Sequence, residues 1–510
     1  MRPLDEFVIN YLSSVAPAFY IRQCLVILAL FIFGAILTDL LIKKRINPLR
    51  RALLAFPAGL SAFIITAYLM LILGISYTPF TVTAAIVLIT GLALFWGRTS
   101  FFGEDLQAYK KHMLIALSAA ILIALVATAG IAPVAISNDT MYYFRRYPDA
   151  IVFYRGLRDQ FDFFMTDTGL GVVAIDTLPA LFGFGETFGI REFFHIDFIV
   201  LFGYFVYDRS KGYIPRKGAI VSSVLVTAFL AASTPFFILG HWALANMYFM
   251  EMFFIASCNV TADDDTSFGI NCLIMSALSL LRIEGTLFVI WLVVCQTAFT
   301  GHGKKTAKFV ILPVTLLFGG YCLRLYTKYN VLDNQYTFLT PQKAVILITL
   351  LVASGLFLIF IFTPLYKRFG HKLVILYMGL LVAGNLLMLV KDPALYAGNL
   401  KAFGANLFRQ SGWGMFPYFV IGMILLIVVC HLKDRKKRSA TLNVANLCDI
   451  SMVVGFLLIV LAASYGRGDV LSEDVGDSGN RVLLQITPLV VMTISQLFLG
   501  LFYDENETGL

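Results

Sequence analysis

The chain has 510 residues; 59% are hydrophobic, 14% are charged and the formal net charge is +8. Ordinary globular proteins are roughly 45–50% apolar and about 25% charged, so this composition excludes a cytosolic enzyme, a disordered protein and a disulfide-built secreted domain. Mean hydropathy is +0.83, and the apolar excess has no place to go except lipid.

A membrane-crossing helix needs about 20 mostly apolar residues. In chain order, candidate spans lie near 21–43, 52–75, 78–97, 113–134, 193–207, 217–239, 241–258, 268–282, 285–300, 309–325, 343–365, 372–390, 413–432, 447–465 and 482–502. The fold class expected is an all-α polytopic membrane protein with about 13–15 transmembrane helices. It divides into N-terminal spans over 1–134, a large external segment over 135–192 and a transmembrane bundle over 193–510. The first 20 residues hold Asp5 and Glu6 and no clear apolar run, so no cleavable signal peptide is expected.

Basic residues gather in short clusters between spans, which argues against nucleic acid and for the positive-inside pattern. The clusters are Lys43, Lys44, Arg45, Arg50 and Arg51; Lys110 and Lys111; Arg209, Lys211, Arg216 and Lys217; Lys304, Lys305 and Lys308; Lys367, Arg368 and Lys372; and Lys433, Arg435, Lys436, Lys437 and Arg438. All fall on one side if the helices alternate and three short spans fill 241–300. The N-terminus is then outside and the C-terminus inside. Two of the formal glycosylation sequons, at Asn259 and Asn506, fall on the cytoplasmic side in this topology, where they are chance matches. The seven cysteines form no CxxC pair. With no paired external cysteines, a bacterial plasma membrane is the expected location.

The external side carries segments 135–192, 326–342, 391–412 and 466–481. The first is too polar for lipid and too apolar for a free linker, and stretches such as 141–165 suit amphipathic helices lying in the interface plane. The mid-span stretches read as nearly charge-free, which favours surface-level chemistry over passage through the membrane.

Asp139, beside Asn138 and Thr140, sits just past the outer end of the fourth span. A partly desolvated carboxylate there can act as general base toward a hydroxyl, or can simply cap a following helix. Arg145, Arg146, Arg155 and Arg158 crowd the same segment, against the positive-inside bias. Guanidinium groups suit phosphate oxygens; pairing with Asp149, Asp159 and Asp162 is the plainer explanation. The last external segment offers Arg467 and Arg481 with Asp469, Glu473, Asp474 and Asp477. Such carboxylates can hold a divalent cation or make a hydrated loop. Arg481 opens the final span and is either a snorkelling anchor or a phosphate contact. Glu284 follows Arg282 at an outward turn, and an ionisable pair at membrane depth is a candidate site. Lys391, Asp392, Lys401 and Arg409 form another external group, and His195 and His241 lie near span ends. Nucleotide-binding GxxxxGK[ST] and GxGxxG loops, HExxH and GxSxG are all missing.

These residues carry a resemblance. Asn138-Asp139-Thr140-Met141-Tyr142-Tyr143 resembles the Asp-containing start of the first large loop of the GT-C superfamily, the polyprenyl-phosphate-dependent membrane glycosyltransferases. Asp167 to Gly171 and Leu178 to Gly183 resemble the later part of that loop, where it re-enters the membrane. Gly479-Asn480-Arg481 through Pro488-Leu489 is similar to the basic residue with Leu-Leu and Pro-Leu that opens a late span. Arg282-Ile283-Glu284-Gly285 is similar to an Arg-Pro-Glu-Gly turn of some members. The Asp-bearing loop follows the fourth span here instead of the first, and no large soluble C-terminal domain is expected. The resemblance implies an inverting glycosyltransferase with a polyprenyl-phosphate-linked sugar donor and a glycan, lipid or protein acceptor on the outer face. Asp139 would be the base, and external arginines would hold the lipid phosphate. Membrane lipids are the other partners implied. Two alternatives stand beside it: an envelope-glycan polymerase or ligase using lipid-pyrophosphate-linked glycans, and a lipid or solute transporter.

Overall fold

In the computed structural model, the residues described are 8–9, 17–42, 48–96, 114, 118, 134–135, 146–157, 170–184, 189–236, 245–261, 268–282, 285–300, 352, 356, 359–360, 363–369, 372–409, 413–433, 441–466, 468, 470–471 and 478–502. Apart from a two-residue antiparallel pair, β1 (Val8–Ile9) with β2 (Val134–Ala135), these residues form helices and their connections. The helices are α1 (Pro17–Leu41), α2 (Pro48–Leu53), α3 (Ala55–Ile72), α4 (Pro79–Trp96), α5 (Tyr147–Phe153) and α6 (Leu170–Phe182). Next come α7 (Gly189–Ser210), α8 (Arg216–Ala232), α9 (Ala245–Thr261), α10 (Phe268–Leu281), α11 (Gly285–Thr300) and α12 (Pro364–Phe369). The chain continues with α13 (Leu373–Lys391), α14 (Pro393–Phe408), α15 (Phe416–Lys433), α16 (Val444–Gly466), α17 (Ser478–Leu484) and α18 (Thr487–Leu499).

Among the described residues, five helical stretches are long and apolar enough to cross a membrane: Ile21–Leu41, Leu49–Ile72, Leu373–Lys391, Phe416–Lys433 and Val444–Gly466. The protein is therefore an all-α multi-pass membrane protein. Shorter apolar helices at Pro79–Phe95, Leu170–Phe182, Gly269–Leu281 and Thr487–Phe502 pack with them. The stretch 241–300 does hold three short helices, α9, α10 and α11, packed on one another. Predicted spans 113–134, 309–325 and 343–365 lie wholly or mostly outside the described residues, as does the external segment 326–342.

Side chains from almost every helix share one core. Aromatic contacts make its seams, with Phe56 edge-on to Phe193 at 4.5 Å, Phe198 on Phe254 at 5.5 Å and Phe288 stacked on Phe456 at 4.4 Å. Where lipid supplies no hydrophobic drive between helices, close packing takes over. The α1–α3 crossing shows this. A Cβ on Gly34 would fall 1.7 Å from the Ala55 carbonyl oxygen, and one on Gly59 2.0 Å from that of Leu30.

Helix directions and cross-contacts define two ends of the bundle. At one end lie Arg50, Arg51, Arg209, Lys211, Arg216, Lys217 and Lys433, all beside helix termini. Arg51 pairs with Asp39 there, Arg50 donates to Asn259 Oδ1 at 3.2 Å and Arg209 pairs with buried Asp449. Asn259 is thus buried inside the bundle. At the other end lie the start of α7 and α9, the end of α6 and α10, and α14.

Within segment 391–412, Pro393–Phe408 folds as α14, with Pro393 in its first turn and Asp392 as its cap, its carboxylate accepting from Leu395 N at 3.0 Å. Its buried face presents Tyr396, Asn399, Ala402, Phe403 and Asn406 to the bundle. The apolar return of the first external segment, α6, is buried against α3 and α10.

Candidate functional site

The expectation of nearly charge-free spans is overturned by α7 and α9. Arg191, Glu192, His195 and Asp197 stand in the first turns of α7, and Glu251 stands in α9; all are buried. Spacings of four in α7 (Arg191, His195) and three in α9 (Tyr248, Glu251) put each pair on one helix face. Glu192 lies in the first turn of α7, where the helix dipole favours an anion.

The two faces meet. His195 Nδ1 lies 2.8 Å from Glu251 Oε1, and the imidazole stacks on Phe236 at 4.5 Å. The Arg191 guanidinium lies 4.8 Å from the centre of the Tyr248 ring and 3.8 Å from Asp176 Oδ2 of α6. Glu251 is also within electrostatic reach of Arg191, Glu192 and Asp197. One turn nearer the bundle end, Asn246 Oδ1 accepts from Arg282 Nη1 at 2.8 Å and from Gln485 Nε2 at 2.7 Å. That contact ties α9 to the end of α10 and to the junction of α17 and α18.

The described part of the first external segment joins the same end. Tyr77 N donates to the Arg155 carbonyl oxygen at 2.8 Å, and Tyr77 Oη shares a hydrogen bond with Thr177 at 2.9 Å. Thr177 neighbours Asp176 on α6. Burial pushes the Tyr77 phenol above its usual range, so it works as a neutral partner, although the Thr177 contact pulls the other way. Arg155 itself is exposed and held at φ 58°, a left-handed conformation that few non-glycine residues adopt. Arg146, just before α5, is exposed as well.

Of the residues singled out from sequence, the structure thus brings Arg155, Arg282, Arg481 and His195 to one end of the bundle, where the buried acids also lie. Arg481 lies on α17, which packs on α9 and α14. His195 is an interior residue paired with Glu251, and Arg282 bonds Asn246. Lys391, Lys401 and Arg409 stay exposed on or beside α14, also at this end. Asn138, Asp139, Arg145, Arg158, His241, Glu284 and Arg467 lie outside the described residues, as do the carboxylates Asp469, Glu473, Asp474 and Asp477. Among the described residues no group of three or more His, Cys, Asp or Glu side chains is placed to hold a metal ion.

Sequence reasoning passed over Arg191, Glu192, Asp197 and Glu251. The signal was present: Glu251 is the one charged residue in Ala245–Thr261, and four polar residues within seven positions interrupt the apolar start of α7. No family model, no characterised protein and no solved structure matches the chain.

Proposed function

We propose that the chain is an integral-membrane glycosyltransferase that works at the bundle end opposite its basic clusters, with that end on the non-cytoplasmic side. The donor is a sugar linked to a polyprenyl phosphate, and the acceptor is a hydroxyl of a glycan, lipid or protein. The observation that carries the reading is the gathering at one end of the Arg155 loop, the Arg282 turn, the Arg481 helix and a buried acid–base layer. Positive-inside ordering independently turns this end outward.

In the reaction the sugar C1–O bond to phosphate breaks as the acceptor oxygen bonds to C1 from the opposite face, inverting the centre. Asp139 takes the acceptor proton. The departing phosphate gathers charge, and cations fixed beforehand stabilise it. Arg145, Arg146, Arg155, Arg158, Arg467 and Arg481 are the candidates for that role, with Glu284 beside Arg282 as a further acid. The buried layer beneath gives these loops a rigid floor.

The test is purified full-length protein supplied with polyprenyl-phosphate-linked sugars and candidate acceptors. Release of polyprenyl phosphate that is lost in Asp139→Asn at unchanged expression supports the reading; full activity in that variant rejects Asp139 as the base. A second reading, a transporter, is favoured by the acids inside α7 and α9, because ionisable residues within spans mark transport paths. Uptake or scrambling of labelled lipid by proteoliposomes without sugar release would establish it instead.

A further inference from the structure

Among the described residues, the layer shared by α6, α7 and α9 holds more acid than base. Half-buried Asp176 and buried Glu192, Asp197 and Glu251 face one arginine, Arg191, and one histidine, His195, both buried. With His195 charged, four carboxylates against two cations still leave a surplus of about two negative charges in a setting where an unbalanced ion costs several kcal/mol. All four carboxylates also carry an oxygen with no hydrogen-bond partner among the described residues: Asp176 Oδ2, which only faces Arg191 at 3.8 Å, Glu192 Oε1, Asp197 Oδ2 and Glu251 Oε2. Glu251 is 0% exposed.

The charges facing Glu251 can be taken helix by helix. From α7 come Arg191, Glu192, His195 and Asp197, and its own helix adds Tyr248; Asp176 of α6 faces Arg191 and Tyr248 instead. Helices α10, α11 and α18 contain no charged residue. Asp449 of α16 pairs with Arg209 at the other end, and Arg481 of α17 belongs to the layer above, near Gln485. A metal ion could supply the missing positive charge, but no three His, Cys, Asp or Glu side chains converge on one point among the described residues. Aromatic rings pack around the layer: Phe236 on His195 and on Phe198, and Phe194 on Tyr248.

We infer that this layer is a proton-binding centre: Glu192, Asp197 and Glu251 hold about two protons between them, and His195 shares a further one with Glu251 across their 2.8 Å contact. The proton load holds α7 against α9. Because Asn246 of α9 carries Arg282 and Gln485, release of these protons loosens the bundle end where the external loops attach. The inference stands apart from the sugar-transfer reading and survives its failure.

Infrared spectroscopy of the purified full-length protein reads the protons directly. At neutral pH the wild type shows the C=O stretch of a protonated carboxyl group, shifted in heavy water. Glu251→Gln and Asp197→Asn each weaken it. A second readout is the melting temperature from about pH 5 to about pH 9. The folded state binds protons that ionised carboxylates of the unfolded chain have released, so stability falls as pH rises. The wild-type slope corresponds to about two protons or more, and Glu251→Gln removes about one. A wild type with no protonated-carboxyl band, or a pH slope unchanged in both variants, overturns the inference. If Glu251→Gln does not fold, the wild-type band and Asp197→Asn decide.

Discussion

Replacing Gly59 by alanine puts the α1–α3 crossing under a defined strain. The new Cβ would lie 2.0 Å from the Leu30 carbonyl oxygen and 3.0 Å from Gly34 N, backbone atoms that cannot rotate away. Ordinary contact begins at 3.4 Å, so the helices must part by 3.4 − 2.0 = 1.4 Å. A gap of about 0.5–1 Å already forfeits a quarter to a half of a dispersion contact. The seam around Ile27, Leu30, Phe31, Phe56 and Phe63 therefore loses more than that. Overpacking of a tight core costs about 1–3 kcal/mol, and backbone-on-backbone contact belongs at the top of that range. Alanine returns up to about 1 kcal/mol through helix propensity, leaving a net loss of about 2 kcal/mol. Gly91 of α4 supplies the control, since a Cβ there meets nothing within 4 Å. Thermal unfolding in detergent should show Gly59→Ala melting well below wild type, with Gly91→Ala at or above it. Equal melting of the two variants would refute the close-packed crossing.

Other expectations follow the same logic. Arg209→Met should cost about 3–5 kcal/mol by leaving Asp449 buried and uncompensated, and adding Asp449→Leu should restore most of it in thermal melts. Tyr213→Phe removes the oxygen that accepts from Asn443 at 2.6 Å and Asn446 at 2.9 Å, a loss of about 1–3 kcal/mol readable in the same melts. Asp392→Ala should cost about 0.5–2 kcal/mol of local stability, seen as faster amide exchange over Leu395 and Tyr396 with the rest of α14 intact. In the transfer assay, Arg481→Ala should slow release of polyprenyl phosphate, whereas Lys401→Ala, on the exposed face of α14, should not.

Run length and charge placement made most of the bundle readable in advance. Predicted spans 21–43, 78–97, 285–300 and 447–465 fall on α1, α4, α11 and α16, because uninterrupted apolar stretches have few other ways to satisfy their backbone in lipid. The three short pieces between 241 and 300 were harder, yet alternation of the basic clusters demanded them. Two features escaped. Segment 391–412 has the Asn, Gly and Lys content of a loop, but Asp392-Pro393 is a helix-start signature, and the buried face repeats at Asn399, Ala402, Phe403 and Asn406. The acid layer escaped because average hydropathy dilutes single charges: Glu251 vanishes among phenylalanines and methionines. Its meaning depends on His195 lying opposite across a helix contact, which no local pattern encodes.

For sugar transfer, the loop bearing Asp139 must meet a lipid phosphate on the side away from the basic clusters. Asp139→Cys in a background lacking the seven native cysteines puts this to a direct measurement. A membrane-impermeant maleimide should label that position only from the side opposite Lys211 and Lys217, and added polyprenyl phosphate should slow the labelling. Labelling from the basic side, or labelling indifferent to polyprenyl phosphate, would contradict the account.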